Sequence, residues 1–300
     1  MIRLLPELRG AIEAGEPVVA LESSVIAQGL PAPANRECVD RMTAAVRGAG
    51  AHPAIAAVVN GVPTLGLEPD ELARFLVGTG VRKVSARDLA VAMAQHADGA
   101  TTVAATLALA HGAGVSVFAT GGIGGVHREP PFDESADLLE LARTPMVVVC
   151  AGAKAILDLR ATMERLETFG VPVIGYRTWE LPGFYTADTG IRLTARAESP
   201  EEIAHVFRAH MELGRTQSLV VVQPPPEDVA LAGVEVEAAV ERAIARARAD
   251  GVRGAASTPY LLAAVTEVTQ GRSLQTNLAL LERNAGLAAE IAVVLAARKA

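Results

Sequence analysis

The chain has 300 residues, half of them hydrophobic, with aromatics at 3% and a formal charge of −7. That size and apolarity ensure a sizeable core built from Ala, Val, Leu and Ile. Net acidity argues against a general nucleic-acid binder, which would show a basic patch or stripe. No stretch reaches the roughly 18 consecutive apolar residues of a membrane span, and Pro6 and Glu7 interrupt the start where a signal peptide would run. The expectation is a soluble, cytoplasmic protein with no membrane and no nucleic-acid polymer as partner. Cys38 and Cys150 lie in helix and strand patterns and read as small buried hydrophobes, not as a disulfide or a metal set.

Leu8 to Ala14 reads as a short helix ending at Gly15. Pro17 to Leu21 is a buried strand that runs into Glu22-Ser23-Ser24. An acid and two hydroxyls after an apolar strand suit a strand-end site, and equally an exposed turn. Gly29-Leu30-Pro31-Ala32-Pro33 is a stiff loop, Ala34 to Gly48 an amphipathic helix and Ala54 to Val59 a strand. Asn60-Gly61 signals a turn, with Val62 to Leu67 returning as a hairpin, and Pro69 to Val77 is helical. Arg82-Lys83-Val84-Ser85-Ala86-Arg87-Asp88 groups three cations around a hydroxyl. It suits a phosphate or carboxylate, and equally a solvated loop. Thr101-Thr102 precedes a small-residue helix from Val103 to Ala110; hydroxyls and bare N–H groups there suit an anion or ordinary capping.

Val115 to Ala119 is a strand, followed by Thr120-Gly121-Gly122-Ile123-Gly124-Gly125-Val126-His127-Arg128. Four glycines in five residues allow close backbone approach to a ligand, and their spacing matches neither a dinucleotide fingerprint nor a P-loop. Asp133-Glu134-Ser135-Ala136-Asp137 puts three carboxylates in five residues, suited to a hard divalent cation or to the first turn of a helix over Leu138 to Ala142.

Met146-Val147-Val148-Val149-Cys150 is a buried parallel strand that stops at Ala151-Gly152-Ala153, and Lys154 follows at once. A helix is expected from Ala153 to Phe169, closed by Gly170. Lys154 then lies near the carboxyl edge of a sheet, where open α/β proteins bind ligands. Burial of a lysine disfavours its charged form and leaves an amine able to attack a carbonyl; snorkelling to solvent is the plainer alternative. Further on, Val171 to Tyr176 and Ser218 to Val222 are strands, the latter ending in Gln223-Pro224-Pro225-Pro226. Trp179 to Gly190 is a loop or lid. Ser199-Pro200 starts a helix to Leu213, Val234 to Ala249 is helical, and Ser257-Thr258-Pro259 caps a helix through Thr269. Asn277 and Asn284, one heptad apart, share a helix face. Repeated strand and helix units predict α/β, with no break that splits residues 1–300 into more than one domain.

Together, and in order, these pieces resemble the pseudouridine-5′-phosphate glycosidase family, also called indigoidine synthase A-like. The resemblance rests on Glu22-Ser23-Ser24 with Gly29-Leu30-Pro31, Val58-Val59-Asn60-Gly61-Val62-Pro63, Lys83-Val84-Ser85-Ala86-Arg87-Asp88 and Thr101-Thr102-Val103-Ala104-Ala105-Thr106. It continues through Phe118 to Arg128, Ser135-Ala136-Asp137-Leu138, Cys150-Ala151-Gly152-Ala153-Lys154, Thr258-Pro259-Tyr260-Leu261-Leu262 and the Asn277 to Asn284 segment. It implies a three-layer α/β/α sandwich with a mostly parallel, mixed sheet, assembled as a homotrimer. It implies reversible cleavage of pseudouridine 5′-phosphate to uracil and ribose 5-phosphate, with one divalent metal per subunit, usually Mn²⁺. Carried over by residue, Lys154 resembles the Schiff-base lysine, Glu22 the proton donor and Asp133 the metal ligand. Lys83, Thr102, Val103, His127, Ser135, Ala136, Asp137 and Asn277 resemble substrate-binding positions.

The chain departs from the family pattern at Gln28, often histidine, at Gln223 to Pro226, usually Asn-Pro-x-Pro, and at Arg283-Asn284, often a paired Asn-Asn. Ala187 to Gly190 is also a variant of the family's serine-glycine loop. None removes a residue carried over to catalysis; they bear on the substrate loops and on the base recognised. Two other functions fit the same residues: another Schiff-base lyase or aldolase-like enzyme on a sugar phosphate, and a non-catalytic sugar-phosphate-binding accessory protein.

Overall fold

The computed structural model describes residues 2–130, 132–252 and 254–297. The first half contains β1 (Arg3–Leu4), α1 (Pro6–Glu13), β2 (Val18–Leu21), a π-helical turn at Val25–Gly29, α2 (Ala34–Gly48), β3 (His52–Val59), β4 (Val62–Leu65) and α3 (Pro69–Val77). It continues with β5 (Arg82–Val84), α4 (Leu89–Ala94), β6 (Gly99–Thr101), α5 (Val103–Gly112), β7 (Val117–Ala119), β8 (Val126–His127), α6 (Ala136–Leu141) and β9 (Val147–Cys150). The rest is β10 (Leu157–Asp158), α7 (Leu159–Thr168), β11 (Val173–Tyr176), β12 (Ala195–Ala197), α8 (Pro200–Glu212), β13 (Leu219–Val222), α9 (Gly233–Ala249), α10 (Ser257–Val268) and α11 (Arg272–Ala296).

The strands β2, β9 and β13 are buried at every residue, as apolar runs covered on both faces must be. They sit inside a parallel series ordered β3-β2-β7-β9-β13-β11-β12. β4 and β6 pair antiparallel with β3, which makes the sheet mixed at that side. Asn60 and Gly61, both at positive φ, form the tight turn from β3 into β4, as their sequence signals. Helices α2, α8 and α11 pack together over one face, while α5 and α6 pack on each other and α5 lies against β2, β3 and β4. Among the described residues no helix is long and apolar enough to cross a membrane.

Register brings the functional edge into line. Leu21 pairs with Ala119, Ala119 with Val149, and Val149 with Val221. The residues just past these strands, Glu22, Thr120, the Ala151–Lys154 turn and Gln223, therefore emerge side by side at one carboxyl edge.

Three local expectations change. Arg82–Val84 is not a solvated loop but strand β5, paired parallel with β6. The helix after Lys154 begins at Leu159, not Ala153. Leu157 and Asp158 instead pair antiparallel with His127 and Val126, and Asp158 then caps the helix by accepting from Ala161 N at 2.9 Å. Helix α10 starts at Ser257 behind Ala256, with no side-chain capping bond.

Candidate active site

Glu22 is no exposed turn residue: it is 6% accessible, just past β2. Ser24 Oγ donates to its Oε2 at 2.5 Å and Thr120 Oγ1 donates to its Oε1 at 2.5 Å. Thr120 can reach because β7 is the sheet neighbour of β2. Ser23 faces away from this pair. Its Oγ donates to Ala56 O at 2.7 Å and accepts from Thr101 N at 2.8 Å, tying β2 to β3 and β6. The π-helical turn that follows swings Gln28 inward. Its Nε2 donates to Val81 O at 3.1 Å, which leaves Oε1 as the free acceptor.

The glycine loop after β7 is held by Asp137. Its two carboxylate oxygens accept from Ala104 N at 2.9 Å and Gly124 N at 2.8 Å. One backbone N–H of the α5 start is thus taken by protein, and the buried acid offsets the positive end of that helix. Thr102 stands at the N-cap of α5 with no side-chain cap bond. Glycine is required at 124 for space: a Cβ there would lie 2.2 Å from Ser135 Oγ and 2.6 Å from Asp137 Oδ2.

Lys154 sits in the turn after β9, fixed by its own N–H to Ile123 O at 3.1 Å. Lys83 opens onto the same cavity from β5. The surrounding walls push Lys83 below the usual lysine value, and the positive charge of Lys154 pushes the same way, against the pull of Glu22 and Asp137. Burial likewise holds His127 below the ordinary histidine value; Asp133 opposes this, while Lys154 and Lys83 reinforce it. The backbone of His127 donates to Asp133 O at 2.9 Å. Cys150, at the end of β9, is no competing nucleophile, since burial pushes its thiol up to about 12.

The three carboxylates of 133–137 do not gather. Glu134 pairs with Arg165 at 2.9 Å, Asp137 is used by two backbone N–H groups, and Asp133 alone of the three is left beside His127. Among the described residues no group of three His, Cys, Asp or Glu side chains could hold a metal. Asp133 fits a hard cation that keeps most of its waters, not one caged by protein.

One cavity of about 330 Å³ is lined by Glu22, Lys154, Asp133 and every other residue carried over by resemblance: Lys83, Thr102, Val103, His127, Ser135, Ala136, Asp137 and Asn277. Among the described residues, three buried polar atoms on its wall have no hydrogen-bond partner: Gln28 Oε1, Thr102 Oγ1 and Asn277 Oδ1. Such groups are costly unless a ligand satisfies them. The cavity also draws on residues that sequence reading did not assign to it: Thr120, Phe184, and Thr258 with Leu262 on α10. Thr120 lies one residue past β7, Thr258 and Leu262 lie on α10, and Phe184 lies in the loop between β11 and β12.

Residues 7–294 match the family described as indigoidine synthase A like protein. The chain belongs to the indigoidine synthase A-like family. Within it, the chain is 62% identical over 285 residues to the pseudouridine-5′-phosphate glycosidase of Gemmatimonas aurantiaca, across 95% of this chain and 93% of that one. A protein of the same name from Chloroflexus aurantiacus is 53% identical over 299 residues, 98% of each chain. The solved prealnumycin C-glycosynthase AlnA, in complex with ribulose 5-phosphate, aligns with a TM-score of 0.92 at 38% identity, covering 100% of this chain and 98% of that one. An indigoidine synthase A-like protein of Thermotoga maritima aligns at 0.90 and 36% identity, covering 99% and 97%.

Proposed function

We propose that the chain catalyses reversible cleavage of the C–C glycosidic bond of pseudouridine 5′-phosphate, giving uracil and ribose 5-phosphate through a Schiff base on Lys154. The observation that carries this reading is the convergence of Lys154 and Glu22 in one cavity that also presents Lys83, Thr102 and the start of α5. The name of the relatives and the pentulose phosphate bound by AlnA support it.

A C–C bond has no leaving oxygen to protonate, so the paired-carboxylate route of O-glycosidases does not apply. Opening the C1′–O4′ bond sends its electron pair to O4′, and the proton that Lys154 Nζ sheds as it bonds to C1′ passes to O4′. Uracil C5 takes a proton from Glu22. The C1′–C5 bond then breaks with its electron pair kept by the uracil ring, while the Nζ lone pair closes on C1′ as an iminium. Water hydrolyses the iminium, releasing ribose 5-phosphate and the free lysine.

Thr102, the N–H groups of the α5 start other than that of Ala104, the Ser135 hydroxyl and Lys83 suit the 5′-phosphate. Asn277 Oδ1 and Gln28 Oε1 are acceptors for ring N–H groups, of which the C-linked base offers two and an N-linked uracil only one. Asp133 would hold the Mn²⁺ ion, which when bound supplies an ordered water and charge for substrate oxygens. A homotrimer and a cytoplasmic place in nucleotide breakdown belong to the same proposal and rest on the family resemblance.

Synthetic pseudouridine 5′-phosphate with Mn²⁺ should release uracil, followed by chromatography. A chelator should stop the release and added Mn²⁺ restore it. A borohydride-trapped adduct with no uracil would instead favour another Schiff-base lyase, and binding without any turnover an accessory protein. Gly124→Ala should weaken ribose 5-phosphate binding about tenfold or more by calorimetry, because displaced Asp137 no longer fixes the α5 start. Unchanged affinity would separate Asp137 from the phosphate site.

A further inference from the structure

We infer that Thr120 is the positioning residue for Glu22, and that Asn284 is its anchor. The inference rests on the lysine-and-carboxylate reading above and adds a residue of the cavity wall that acts through Glu22. A carboxylate at the end of a strand has two freely rotating bonds beyond its Cβ and takes several orientations unless its oxygens are held. Here each oxygen of Glu22 accepts one hydroxyl, from Ser24 and from Thr120. Each oxygen keeps a second lone pair for a substrate proton.

The two hydroxyls are not equivalent. Ser24 lies two residues along the same chain and moves with Glu22. Thr120 belongs to another strand and is 1% exposed. Its N–H donates to Val149 O at 3.0 Å, on the strand that leads to Lys154. Its carbonyl accepts from Asn284 Nδ2 at 2.8 Å. Asn284, also 1% exposed, is oriented in turn by Gln223 Nε2, which donates to its Oδ1 at 3.0 Å. Gln223 N closes the chain of bonds on Cys150 O at 3.0 Å. A buried polar chain thus runs from β13 through α11 to β7 and Glu22, and both Gln223 and Thr120 in it are bonded to β9, the strand that leads to Lys154. Rotation of Thr120 is further restricted by its β-branch. The result is a proton donor registered to the nucleophile's own strand rather than to its flexible side chain alone.

The test compares Thr120→Val, which keeps the shape and removes the donor, with Thr120→Ser, which keeps the donor. For cleavage of pseudouridine 5′-phosphate, Thr120→Val should lower kcat on the order of 30-fold with KM within about threefold. Thr120→Ser should stay within about threefold of wild-type kcat, a rescue that loss of packing would not give. Crystal structures of the three forms should show Glu22 in one orientation in the wild type and Thr120→Ser, and reoriented or split in Thr120→Val. If Thr120→Val keeps wild-type kcat, or if Glu22 stays in place without the hydroxyl, the positioning role is overturned. If the wild type releases no uracil, the functional reading fails, and the crystal structures still decide whether Thr120 positions Glu22. Should Thr120→Val not fold, Thr120→Ala takes its place with the same two outcomes.

Discussion

Lys154→Met should abolish cleavage, with kcat falling on the order of 10⁴-fold or more, the loss expected when a covalent nucleophile is removed. Borohydride with ribose 5-phosphate should add a pentitol phosphate to the wild-type peptide containing Lys154, and peptide mass mapping should find no adduct in Lys154→Met. Two lysines, Lys83 and Lys154, share the cavity. Lys83 is the one whose amine is pushed below the usual lysine value, by the walls around it and then by the charge of Lys154. In the free protein Lys83 therefore loses its proton more readily than an ordinary lysine. A phosphate beside it reverses the sign: an anion favours the charged form, and binding draws a proton onto Lys83 at pH values above its free value. The charged Lys83 is then a phosphate partner, and Lys154, on the turn of the central strand, is left as the amine that reaches C1′. Lys83→Met should keep the adduct on Lys154 while raising the concentration of ribose 5-phosphate needed to form it. An adduct mapping to Lys83 in the wild type would reverse the two roles.

Residue patterns revealed the frame of the site more fully than its details. The continuous apolar, valine-rich runs at Val18–Leu21, Val147–Cys150 and Leu219–Val222 read as strands covered on both faces, and all three are buried throughout. Parallel pairing of β2, β7 and β9 then brings Glu22 and Lys154 to one edge. The helix after Lys154 was misplaced because Ala155-Ile156-Leu157 continues a helical pattern without a break. Pairing of Leu157 with His127, a contact remote in sequence, overrides that propensity. The burial of Glu22 was equally invisible, since it depends on a hydroxyl 98 residues away. Nor could spacing show that Asp133, Glu134 and Asp137 turn to a cavity, to Arg165 and to two backbone N–H groups respectively. Adjacent carboxylates repel, and tertiary partners decide where each goes. Gln28 needed a π-helical turn to enter the cavity, a conformation with no short sequence signal.

Glu22→Gln separates the covalent step from bond cleavage. The amide is nearly isosteric, but one of its two heads is now a donor. It can accept a hydroxyl from Thr120 or from Ser24, not from both, so the pairing that each carboxylate oxygen enjoys is lost on one side. More important, the amide carries no transferable proton near neutral pH. Protonation of uracil C5 must then come from water, and kcat falls by about 10²- to 10⁴-fold, the usual contribution of a positioned acid or base. KM changes little, because the phosphate partners and the base acceptors lie elsewhere on the wall. The borohydride adduct between Lys154 and ribose 5-phosphate persists, since the amine and the aldehyde are untouched. The reverse reaction, pseudouridine 5′-phosphate from uracil and ribose 5-phosphate, is lost in parallel, because the same group must take the C5 proton when the bond forms. Uracil release within tenfold of wild type would remove Glu22 from the proton transfer; loss of the adduct together with cleavage would make it a partner of imine formation instead.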